Sequence, residues 1–136
     1  MHYFRIILGL ILGLFIGAVV NGSIIHLGTT LFPYPKGVDL TTLEGMNAFR
    51  DLPVKFYIFP FLAHAIGTLS GCLTALIFLN NKFHWVIYVI AYLFFVGGVV
   101  AVDMINAPVW FDLIDLSLAY LPMGWLALRS RLAKTA

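Results

Sequence analysis

What this chain lacks narrows the field first. Charged residues make up 10% of its 136 residues and hydrophobic residues 62%. A soluble domain is about 25% charged, so too few charges are present to solvate a globular surface, and lipid has to cover most of it. Cysteine occurs once, at Cys72, inside an apolar run. A single thiol excludes an internal disulfide and a cysteine-rich metal site, and leaves the redox compartment open. The net charge of +2, with no basic patch interleaved with aromatics, gives no argument for a nucleic-acid partner. The sequence has no phosphate loop, dinucleotide fingerprint, nucleophile elbow or His-Glu-x-x-His pattern. No internal repeat or low-complexity tail is present.

What is present is four long apolar stretches: about Phe4 to Leu27, Phe56 to Leu79, Trp85 to Ala107 and Val109 to Leu128. A bilayer core takes about 20 helical residues at about 1.5 Å each, so each can cross it. Asn80-Asn81-Lys82 separates the second from the third. Ala107-Pro108 separates the third from the fourth, because proline lacks an amide and disfavours helix in the residue before it. Arg5 ahead of the first stretch is also a signal-peptide feature. The long apolar run without a small-x-small cleavage site reads instead as a retained helix. The expected fold is all-α, a single-domain membrane four-helix bundle over 1–136.

Positive charge orients it. Arg5, Lys82, Arg129, Arg131 and Lys134 have no acidic companions, whereas Lys36, Arg50 and Lys55 share the loop 28–55 with Asp39, Glu44 and Asp51. The unbalanced side is the cytoplasmic one. Both termini are therefore expected in the cytoplasm of a bacterial inner membrane, with the long loop outside. Within that loop, Thr41-Thr42-Leu43-Glu44 fits a capping box, and Leu43, Met46, Phe49 and Leu52 are spaced for one apolar face. The expectation is a short amphipathic helix, about Thr42 to Asp51, on the outer membrane surface as a lid.

All six acidic residues fall in the outer loop or the outer half of the spans. Ionisable groups at that depth are expensive in lipid, so they should face the bundle interior and pair. His64 and Asp115 are the expected acid/base pair. Asn21, His26, Glu44, Thr68, Asp103, Asn106 and Asp112 are expected to orient a polar head group. Each has a plainer reading beside this one. His64 can be a buried histidine bonded to a carboxylate, and His26 a wet interfacial one. Asp112 can offset a helix dipole, and Glu44 can be a cap. Histidines and carboxylates could furnish a mixed metal site, but without diagnostic spacing no metal ligand and no cofactor is assigned. Gly9, Gly13, Gly17 and Asn21 repeat every four residues, as do Gly67 and Gly71, a pattern that lets helices approach closely. It serves either internal packing or a homo-oligomer or partner seam.

Asn21-Gly22 with His26, Phe32-Pro33 through Gly37-Val38-Asp39, and Phe59-Pro60-Phe61-Leu62-Ala63-His64 carry a resemblance. So do Gly67-Thr68-Leu69, Ala107-Pro108 with Trp110-Phe111, and Ala119-Tyr120 with Pro122-Met123. Over most of its length the chain resembles an uncharacterised group of small four-helix bacterial integral membrane proteins. That resemblance implies the fold and no particular activity. Three functions follow as expectations. The first is binding or transformation of a lipid-like or isoprenoid-like molecule in a polar pocket near the outer leaflet. The second is a non-enzymatic accessory subunit of a membrane complex, and the third is transport of protons or metal ions.

Overall fold

The computed structural model describes residues 2–79 and 82–130. Asn80 and Asn81 of the polar break, and Arg131 and Lys134 of the basic tail, lie outside the described residues. Within them the chain is helical with no strand: α1 (His2–Leu31), α2 (Leu43–Ala48) running into a 3-10 turn (Phe49–Asp51), α3 (Lys55–Leu79), α4 (His84–Met104), α5 (Val109–Leu118) and α6 (Leu121–Arg129). Four spans, α1, α3, α4 and the α5–α6 pair, are long and apolar enough to cross a bilayer.

Two boundaries correct the sequence expectation. The third helix ends at Met104, and the chain leaves it through an extended Ile105 (φ −105°, ψ 115°). Pro108 keeps the residue before it out of the helical region. The fourth span is two helices, interrupted at Ala119-Tyr120. Pro122 has no amide, and its ring clashes with the carbonyl four residues earlier, so a continuous helix is costly there. A restart that puts Pro122 in the first turn of α6 avoids that cost.

The closest packing is between α1 and α3. Gly9, Gly13 and Gly17 are buried against Gly67, Gly71 and Ala75. A Cβ on Gly13 would lie 2.8 Å from the Gly71 carbonyl oxygen, and one on Gly17 2.8 Å from that of Gly67. Hydrogen is the only side chain that fits where backbones meet this closely. The glycine face is thus filled within the chain. At the end of the bundle nearer the termini, Cys72, Leu76, Leu79, Ile87, Ile90 and Ala127 form a dry core. Phe4, Ile7, Ile11 and Phe15 of α1 point away from the bundle.

At the opposite end, residues 32–54 fold back over the ends of α3, α4 and α5. Gly37 (φ +96°) makes the Pro35–Val38 turn, a backbone conformation that glycine adopts without strain. Phe49, Tyr57, Ala107 and Phe111 form a second core there, with Tyr34, Val38, Leu40 and Leu52 against it. The Tyr57 hydroxyl donates to the Phe49 carbonyl at 2.7 Å. The short helix forms close to its expected place, but its cap differs. Thr42, not Thr41, is the N-cap, and its hydroxyl accepts from the Gly45 amide at 3.1 Å. Glu44 is therefore one position too early to close a capping box and is exposed. Asp39 takes over: its carboxylate accepts from the Thr41 amide (2.9 Å) and hydroxyl (2.7 Å). Of the expected apolar face, Phe49 is buried, Met46 and Leu52 are half-buried, and Leu43 is exposed.

Candidate functional site

Between the spans at the loop end lies a cavity of about 100 Å³. Ile25 of α1 and Pro60 and His64 of α3 form one side. Gly98, Ala101 and Val102 of α4 face them, with Phe111, Asp112 and Asp115 of α5. Tyr34, Leu40 and Phe49 from the loop close the top. Small residues on α4 leave the space open, and Pro60 deletes one helix hydrogen bond at this level of α3.

The polar wall is built around Asp115, which is only 2% exposed. His64 Nδ1 lies 2.9 Å from each of its carboxylate oxygens. The Tyr120 hydroxyl donates to Asp115 Oδ2 at 3.0 Å. The Tyr120 ring also stacks on the His64 imidazole, with centroids 5.7 Å apart and planes at 28°. A carboxylate only accepts, so it holds the imidazole proton on Nδ1 and leaves Nε2 as the nitrogen presented to a ligand. No partner for Nε2 occurs among the described residues. The burial of a carboxylate is tolerable because both neighbours donate to it.

Tyr120 was not among the expected site residues. Five residues along a continuous helix turn through about 140° net, which would aim Tyr120 away from Asp115. The interruption at Ala119-Tyr120 brings it back. Pro122 is the sequence signal for that break. Gly98 is required as well, since a Cβ there would collide with the Tyr120 hydroxyl. Tyr34 was also missed. Its half-buried hydroxyl titrates above the usual tyrosine range because of that burial, so it stays protonated at neutral pH.

The other expected head-group residues scatter. Asp112 lines the cavity beside Asp115. Asn21 packs on Gly67 in the α1–α3 seam. Thr68 sits one turn below His64, fully buried, and its hydroxyl has no partner among the described residues; it is not part of the cavity lining. His26, Glu44 and Asp103 are exposed and outside the lining. The His26 carbonyl accepts from the hydroxyls of Thr29 (3.0 Å) and Thr30 (2.8 Å). Asn106 donates to Asn47 Oδ1 at 3.4 Å, tying the α4–α5 turn to the short helix. Among the described residues, no three His, Cys, Asp or Glu side chains converge as metal ligands. Set against models of protein families, curated proteins and solved structures, the chain matches none.

Proposed function

We propose that this protein sits in a bacterial inner membrane, termini in the cytoplasm, and binds a lipid-like or isoprenoid-like molecule at its loop end. In this reading His64 Nε2 is the proton acceptor for the molecule's polar end. Asp115 orients His64, and Tyr120 positions Asp115. The observation that carries the proposal is one cavity whose apolar walls converge on an Asp-oriented histidine. That arrangement fixes the tautomer and directs a basic nitrogen at a bound group. Leu40 and Phe49 support a lid role for the loop, with the short helix at the outer interface. Among the described residues the core at the termini end is apolar, which weighs against an ion path.

Gentle purification in mild detergent, followed by mass spectrometry of the extracted small molecules, tests this. Wild-type protein should retain one amphiphile in stoichiometric amount, and His64→Ala and Asp115→Asn should lose it. The reading fails if wild type and variants carry the same unselected lipids. A stoichiometric protein partner without a bound amphiphile would favour the accessory-subunit reading instead.

A further inference from the structure

The charge of the cavity narrows its ligand. Among the described residues, no lysine or arginine lines it. Lys36, Arg50 and Lys55 all lie outside the lining, and Lys55 Nζ sits instead over the rings of Phe32 and Phe56, 5.7 and 5.2 Å from their centroids. Apart from the Tyr34 hydroxyl, which donates as well as accepts, the polar side-chain groups that line it are the two carboxylates and the His64 imidazole. Asp115 is occupied by His64 and Tyr120. The Asp112 carboxylate has no hydrogen-bond or ion-pair partner among the described residues. In its neutral form His64, with the proton on Nδ1 facing Asp115, presents a lone pair at Nε2. A phosphate or carboxylate head would meet the Asp112 carboxylate with no lysine or arginine in the lining to offset the repulsion. A head that donates hydrogen bonds and carries positive charge would satisfy both that carboxylate and Nε2. The aromatic side chains of Tyr34, Phe49 and Phe111 line the same space and offer the apolar body of such a ligand a surface to pack on.

We infer that the polar end of the ligand is a protonated amine, held between Asp112 and His64 Nε2 with its apolar body against the aromatic lid. This rests on the binding reading above and names its ligand class. A carboxylate near the membrane interior is costly when unpaired, so the amine also supplies the counter-charge that Asp112 lacks.

The test is calorimetric titration of the full-length protein in nanodiscs of neutral lipid with n-butylamine, n-butanol and butyrate, matched in apolar body and differing in head. Each is also titrated into empty discs. The amine is expected to bind about tenfold more tightly than the alcohol, the loss that follows from removing one charge-assisted hydrogen bond, and butyrate not measurably. Asp112→Asn should weaken the amine about tenfold and leave the alcohol within about twofold. Butanol or butyrate binding at least as tightly as the amine, and lost in His64→Ala, overturns the amine inference and leaves the binding reading intact. An amine affinity unchanged by Asp112→Asn also overturns the inference. If none of the three binds above empty discs, the binding reading itself fails.

Discussion

At the termini end, α1 and α3 approach until Gly13 meets the Gly71 carbonyl, and Ile87, Ile90 and Leu79 fill what remains. At the loop end, the same two helices border a cavity, and a carboxylate, an imidazole and a phenol meet between α3 and α5–α6. Lipid offers little hydrophobic drive for helices to associate, so contact has to come from close packing or from polar pairing. The first end relies on close packing and the second on polar pairing. The second borders the cavity, because polar partners can hold helices together around a space. Glycine seams hold only where backbones touch.

The largest expected effect breaks the polar end. Asp115→Ala removes the acceptor for both His64 and Tyr120, leaving a buried phenol and a half-buried imidazole unpaired, at a cost of about 3 kcal/mol. Unfolding by SDS titration in mixed micelles measures it. A cost below about 1 kcal/mol would mean that the loop end does not depend on this pairing. The next effect breaks the packed end. Gly13→Ala drives a methyl group toward the Gly71 carbonyl and Ile90 Cδ1, both 2.8 Å from the added carbon. The backbone cannot yield, so a loss of about 2 kcal/mol is expected. Gly22→Ala is the matched control: nothing lies within 4 Å of its added carbon, and the change should be neutral or mildly stabilising. Equal effects at the two glycines would remove the case for a seam.

The two ends also differ in how much the sequence disclosed. Depth along a helix follows from counting residues at about 1.5 Å each. That placed His64 and Asp115 at similar levels, and the cost of ionisable groups in lipid then paired them. The four-residue glycine period likewise marked the close-packing faces of α1 and α3, while leaving open whether they met each other or another chain. Direction around the helix is harder, since each residue turns about 100°. Ile25 lines the cavity and His26 does not; Val102 does and Asp103 does not. Nothing local distinguishes these neighbours until the partner helix is known. Tyr120 depends on a helix break whose only local cue is Pro122. Glu44 missed its capping role by one position, because Asp39 holds Thr41 outside the helix and moves the cap to Thr42.

That Asp39 contact gives the smallest expected effect, and it falls on the loop end alone. The Thr41 hydroxyl, and after it the Thr41 amide, hold the Asp39 carboxyl below its ordinary range. A carboxyl whose folded-state pKa is depressed binds fewer protons folded than unfolded. Its contribution is complete above the ordinary aspartate range and is lost as pH falls through the lowered value. Acid should therefore loosen the cap of α2 and with it the roof formed by Leu40 and Phe49, while the seam at Gly13 and Gly71, which holds no titrating group, stays unchanged. Amide hydrogen exchange as a function of pH, corrected for the intrinsic rate, measures this. Thr41 and Gly45 are expected to lose protection below the ordinary aspartate range, and Gly71 is not. In Asp39→Asn the acid-dependent step should vanish. Loss of protection at Thr41 and Gly71 together would mean that the two ends respond as one unit, and the contrast between them would not extend to their stability.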